Sequence, residues 1–227
     1  MQRCLPICVP RADTDHLQRP APRRRIGLLG GSFNPAHPGH RHISLIALRR
    51  LALDEVWWLV SPQNPLKPAK GMASLARRMA SARIAADHPR IRVTDIERRL
   101  STRYTVDTVR ALKRRHPGFA FVWLIGADNL IQMPAWKSWQ ALFGAVAVAV
   151  FARPSYSLRA LAGQAACRFA RSRLPERQAR RLAEQEPPAW VFLRIRLHSA
   201  SATAIRAAAR SSRKKPGRAG AAAARGV

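Results

Sequence analysis

Acidic residues are scarce in this 227-residue chain: 12 Asp and Glu stand against 41 Lys and Arg, a formal net charge of +29. An imbalance of that size suggests polyanion partners, so a nucleic-acid-binding module has to be weighed. Position argues against it as the main function. The excess concentrates in residues 23–25, in 168–181, and in 210–225 with Lys214 and Lys215. The last stretch, built of Ala, Gly, Ser, Pro and Arg, cannot form a core and reads as a solvated basic tail with weak, salt-sensitive polyanion binding. No specific nucleic-acid partner is expected. Cysteine is scarce too. Three are an odd number for a disulfide framework, with Cys4 and Cys8 near the start and Cys167 alone, which suits a reducing cytoplasm. Cys4 and Cys8 lack a second Cys or His pair at ligand spacing, and no cysteine lies near His37 and His40. Zinc is therefore a poor reading, and no protein-bound metal is expected.

Long hydrophobic runs are missing as well. The longest, residues 141–152, is too short for a bilayer, which needs about 20 residues, and reads as a buried strand. Near the start only residues 5–9 are apolar, broken by Pro6 and followed by arginines, so a secretory signal is not expected. A hydrophobic content of 47% over 227 residues sustains one good core. The expected organisation is a disordered basic extension over 1–24, one domain over 25–211 and a basic tail over 212–227. No membrane association is expected.

Two common nucleotide motifs are absent: no G-x-G-x-x-G and no G-x-x-x-x-G-K-[ST] occurs, which excludes a dinucleotide fingerprint and a Walker loop. Residues 30–40 instead read GGSFNPAHPGH. Ahead of them Ile26, Gly27, Leu28 and Leu29 form a short apolar run, as in a buried parallel strand. Behind them Ile43, Ile46, Ala47 and Leu51 recur at helical spacing, which predicts a helix starting near His37 with Pro38 in its first position. The motif is then the turn between strand and helix. On the first helical turn His37 and His40 share a face, beside backbone N–H groups that lack intrahelical partners and attract phosphate. A glycine-rich turn alone is weak evidence, and a lone histidine is more often packing than catalysis; the full H-x-G-H pattern is what favours chemistry.

Gly31, Phe33, Pro35, His37, Gly39 and His40 match G-x-F-x-P-x-H-x-G-H, and the chain resembles the H-x-G-H nucleotidylyltransferases on these residues. Such enzymes couple a nucleoside triphosphate to a phosphorylated acceptor and release pyrophosphate. The superfamily's second signature, I-S-S/A-T-x-I-R, is matched by residues 200–206, ASATAIR, with Ala200 replacing the usual isoleucine. On its own that segment, after the strand-like residues 190–197, would read only as a helix start capped by Ser201 or Thr203. The resemblance implies ATP binding by Gly30, Gly31, Ser32, Phe33, His37, His40, Ser201, Thr203 and Arg206, with His37, His40 and Arg206 as the catalytic set.

Within that superfamily the middle of the chain resembles the nicotinate-nucleotide adenylyltransferases. Three stretches carry this: residues 61–65, SPQNP; Asp95 and Glu97 with residues 102–105, TRYT, then Thr108; and residues 121–139, FVWLIGADNLIQMPAWKSW. Val109 replaces the family's leucine. The resemblance implies that Asn64, Tyr104, Thr105, Gly126, Asp128 and Trp136 bind nicotinate mononucleotide, Trp136 as the ring stacked on the pyridine. Ordinary aromatic packing is the competing reading for Trp136, and Trp139 lies close by. Phosphopantetheine adenylyltransferases and cytidylyltransferases are the enzymatic alternatives; class I aminoacyl-tRNA synthetases rank lower, since K-M-S-K-S is absent.

Strands are expected at 25–30, 56–60, 91–94, 119–125, 145–151 and 191–196. Helices are expected at 38–51, 74–87, 105–115, 158–184 in more than one piece, and 203–210. This is a Rossmann-like α/β domain with an open parallel sheet and helices on both faces, where ligands gather at the carboxyl ends of strands. The implied reaction is in-line attack of the acceptor phosphate on the α-phosphorus of ATP. Magnesium arrives with ATP, bound to phosphates and water.

Overall fold

The computed structural model describes residues 23–62 and 71–196. Their strands are β1 (Arg24–Gly31), β2 (Glu55–Val60), β3 (Ile91–Thr94), β4 (Phe119–Gly126), β5 (Ala147–Phe151), β6 (Arg173–Leu174) and β7 (Trp190–Leu193). They form one parallel sheet in the order β3-β2-β1-β4-β5-β7-β6. The chain therefore winds outward from β1 in both directions, and the strand order switches between β1 and β4. A crevice opens at such a switch, outside the carboxyl ends of the strands.

The α-helices are α1 (Pro38–Arg50), α2 (Leu75–Ala86), α3 (Ile96–Arg99), α4 (Thr105–Arg115), α5 (Ala127–Gln132), α6 (Trp139–Ala145), α7 (Ser157–Leu161) and α8 (Gln164–Arg168). Successive strand residues serve opposite faces of the sheet. Leu28, Trp57, Trp123 and Val148 pack with Val109 and Leu112 of α4 and Phe143 of α6. Leu29, Trp58, Leu124 and Ala149 pack with Leu48 of α1 and Met79 of α2. Burial on both faces is why strands such as EVWWLV read as continuous apolar runs. Each large side chain so buried contributes about 1.5–3 kcal/mol.

Most expected elements form, α3 and α5 are additional short helices, and other elements differ in extent. The apolar run 141–152 is not one strand: α6 takes its first part, and β5 begins at Ala147 rather than 145. Trp139, Leu142 and Phe143, at i, i+3 and i+4, make a buried helical stripe there. The last described strand covers Trp190–Leu193 rather than 191–196. The segment 158–184 does break up, into α7, α8 and two 3-10 stretches, but it also contributes β6 to the sheet edge. Arg24, expected in the extension, opens β1. The helix expected at 203–210 lies outside the described residues. No described helix is long and apolar enough to cross a membrane.

Candidate active site

The turn after β1 enters α1 through His37, an extended N-cap residue at φ −150° and ψ 163°, followed by Pro38 at the first helical position. Proline fits there because its missing N–H would have had no intrahelical partner and its φ is already helical. His40 sits one turn on. The two imidazoles lie 3.8 Å apart between centroids, and the His37 backbone N–H donates to His40 Nδ1 at 3.2 Å. With Nδ1 accepting, a neutral His40 carries its proton on Nε2, which makes that atom a donor. His37 is 6% exposed.

Packing around His40 holds this geometry. Phe33 lies 4.8 Å from the His40 ring and stacks on Trp58 at 5.1 Å and 16°. Phe33 adopts φ +45°, a left-handed conformation that costs a non-glycine residue about 1–2 kcal/mol, and its buried ring offsets that strain. From β2, Trp58 Nε1 donates to Ser44 Oγ at 2.8 Å, and Ser44 Oγ donates to the His40 carbonyl at 2.9 Å. Trp58 and Ser44 are fully buried, so the histidine helix is bolted to the sheet. Gly30 is required by close approach, since a Cβ there would lie 2.7 Å from Trp123 Cη2.

Two functional candidates, Arg78 and Arg153, escaped the sequence reading. Arg78 of α2 is 2% exposed and donates from Nε to the Ala73 carbonyl at 3.0 Å. Its Nη1 donates to the Ser32 and Ser61 carbonyls at 2.8 and 2.7 Å, and Nη2 to the Pro62 carbonyl at 2.9 Å. Among the described residues it forms no ion pair. Burial lowers its pKa below the ordinary arginine value. The sequence did hold a signal: Arg78, Ala82 and Ala86 lie four apart, so an arginine stands in the apolar stripe of α2. Glu97 of α3 is also buried, and desolvation pushes its carboxyl up to about 7 against a hydrogen bond with the Ser61 side chain.

On the other side of the switch, Tyr104 is the N-cap residue of α4, and Thr105 begins that helix. Lys137 Nζ lies 4.3 Å from the Tyr104 ring centroid, so the segment carrying Trp136 meets the start of α4. Trp136 is half-buried against the core, whereas Trp139 is buried edge-on between Phe143 and Phe169. Gly126 ends β4, and Asp128 follows in α5, paired with Arg153 from beyond β5 at 3.1 Å. Arg153 had no role in the sequence reading. Asn64, Ser201, Thr203 and Arg206 lie outside the described residues. Near that boundary, His42 Nε2 on α1 is 2.8 Å from the Arg196 carbonyl, so the chain after β7 runs beside the histidine helix.

Two neighbouring imidazoles stand at a helix N-terminus, at the switch point of a parallel sheet, an arrangement suited to phosphate. The model of the cytidylyltransferase-like family matches residues 28–208. A Cereibacter sphaeroides protein named probable nicotinate-nucleotide adenylyltransferase is 52% identical over 185 residues, 82% of this chain and 97% of that protein. One of the same name from Parvibaculum lavamentivorans is 53% identical over 185 residues, 82% of this chain and 92% of its own. The chain belongs to the cytidylyltransferase-like family and, within it, to the nicotinate-nucleotide adenylyltransferases. The fold is shared with the solved Plasmodium falciparum nicotinic acid mononucleotide adenylyltransferase complexed with NaAD, at TM-score 0.61 and 17% identity over 82% of this chain and 83% of that one.

Proposed function

We propose that this chain transfers the adenylyl group of ATP to nicotinate mononucleotide, giving nicotinate adenine dinucleotide and pyrophosphate in NAD biosynthesis. The observation that carries this reading is the His37–His40 pair at the N-terminus of α1, with the two imidazoles 3.8 Å apart and Nδ1 of His40 accepting from the His37 backbone N–H. A phosphate oxygen of the mononucleotide attacks the α-phosphorus of ATP. The new P–O bond forms as the bond to the bridging oxygen of the β-phosphate breaks, and its electron pair leaves with pyrophosphate. The acceptor phosphate is already ionised near neutral pH, so the protein positions the reactants and stabilises charge rather than supplying a strong base.

His37, His40 and the N-terminus of α1, with Gly30, Gly31, Ser32 and Phe33 forming the turn, bind the ATP phosphates. Ser201, Thr203 and Arg206 bind the departing phosphates. Tyr104, Thr105 and Trp136 hold the acceptor, with Gly126 and Asp128 lining it and Asn64 contributing to its binding. The pyridine suits an aromatic face, and its carboxylate suits the N–H groups opening α4. ATP enters as its magnesium complex. The donor set around the turn is imidazole and backbone N–H, and Asp128 is engaged with Arg153, which suits phosphate oxygens rather than a protein-held cation. The catalytic unit opens with β1 at Arg24, extends to about residue 211 and works in the cytoplasm.

Pyrophosphate release tests the reading, with MgATP offered against nicotinate mononucleotide, nicotinamide mononucleotide and phosphopantetheine. Release is expected with the first and much less with the others. Release with none of them would overturn the enzyme assignment, and preference for phosphopantetheine would move the acceptor.

A further inference from the structure

Four backbone carbonyls from three separate segments converge on one buried guanidinium. Ser32 belongs to the turn between β1 and α1, Ser61 and Pro62 follow β2, and Ala73 precedes α2. Arg78 bonds all three segments. Asn34 adds a parallel tie, donating to the Gly71 carbonyl at 3.1 Å and accepting from the Ala73 N–H at 3.3 Å. Arginine suits the task because its planar fork carries five donors in fixed directions, whereas lysine presents three donors from one point.

The connections run on past Ser61. Its side chain stands beside the Glu97 carboxyl, near enough to favour that group's charged form, and the Glu97 backbone carbonyl accepts from the Thr102 N–H at 3.0 Å. Thr102 Oγ1 lies 2.8 Å from Thr108 Oγ1, and Thr108 Oγ1 donates to the Tyr104 carbonyl at 3.2 Å. A series of neighbouring polar groups therefore leads from the phosphate-binding turn to the helix start assigned to the acceptor.

We infer that Arg78 and Ser61 are positioning residues that hold the phosphate-binding turn in register with the acceptor helix, so that ATP and acceptor meet at reacting distance. This rests on the function proposed above. In-line transfer is sensitive to displacements of about 1 Å, so loosening this tie affects both substrates without removing a group that touches either. The charge of Arg78, which forms no ion pair among the described residues, also lies beneath the turn that receives the triphosphate, which favours anion binding there.

The test uses the full chain with Arg78→Lys and Ser61→Ala, thermal unfolding to establish that each is folded at the assay temperature, and steady-state kinetics in both substrates. Calorimetric titration with MgATP alone and with nicotinate mononucleotide alone runs beside it. The expected result is a fall of at least tenfold in kcat/KM for Arg78→Lys and at least threefold for Ser61→Ala, on both substrates, in folded protein. A purely structural role would lower the unfolding temperature and leave the kinetic constants of the folded enzyme alone. Constants within twofold of wild type in folded Arg78→Lys, or in Ser61→Ala, would overturn the inference. If Arg78→Lys does not fold, Ser61→Ala decides. If wild type binds MgATP but releases no pyrophosphate, the proposed reaction fails separately, and weaker MgATP binding in both variants still supports the positioning role while unchanged binding overturns it.

Discussion

Arg153 reaches from beyond the end of β5 to Asp128 at the start of α5, with Nε 3.1 Å from Oδ1, and Gly126 leaves the space in which they meet. A Cβ on residue 126 would overlap Asp128 Oδ1 and stand 2.7 Å from Arg153 Nε. Gly126→Ala is therefore expected to split the pair and lower stability by about 1 kcal/mol, the pair being partly exposed. Urea denaturation checks this, and an unchanged midpoint would assign Gly126 a role other than making room.

His40→Ala removes the proposed phosphate donor and the acceptor of the His37 N–H. The expected loss in kcat is about 10²–10³-fold, the usual consequence of deleting one preorganised donor to transition-state charge. Circular dichroism should show the native helix content. Near-normal turnover would remove His40 from the chemistry.

Trp136→Ala tests the acceptor side. With the aromatic face gone, KM for nicotinate mononucleotide should rise about tenfold, on the scale of an aromatic pair interaction, while KM for MgATP stays within about twofold. Steady-state kinetics with each substrate varied in turn separates the two effects, and equal rises in both constants would contradict the assignment.

Glu97 gives a pH signature. Its carboxyl is raised to about 7 in the fold from an ordinary 4.5, chiefly by burial. The folded state thus binds the proton more tightly than the unfolded chain, so its contribution to stability is fully present below about 4.5 and is lost as pH rises through about 7. Glu97→Gln, uncharged at every pH, should be more stable than wild type at pH 8 by up to about 3 kcal/mol, with the difference closing towards pH 4.5. Urea unfolding at the two pH values measures it. A constant gap would contradict the buried-acid account.

What the sequence disclosed followed the chemistry of each residue type. The apolar run of β1, Pro38 after an N-cap position, and the spacing of α4 are local signals, and the structure forms those elements within a residue or two. The two-residue strand β6 has no such signal, because Arg173 and Leu174 join the sheet only through register with Trp190 and Val191. The split of residues 141–152 turns on Trp139 lying just ahead of the run. At the site the histidines were legible because their spacing carries chemistry. Arg78 and Arg153 were not, since a charged side chain reads as solvent-exposed until its partners, 16 to 46 residues away for Arg78 and Ser32, Ser61 and Pro62, are brought beside it.

The central position of β1 has a consequence during synthesis. Leu28 pairs with Trp57 on one side and with Trp123 on the other, 95 residues further along the chain. At about 5–20 residues per second, β1 leaves the ribosome roughly 5–20 s before its β4 neighbour exists. For that interval one edge of an apolar strand is open to other chains. A nascent chain of this protein is therefore most vulnerable to mispairing after β2 has formed and before residue 126 has emerged, a window that closes when β4 docks.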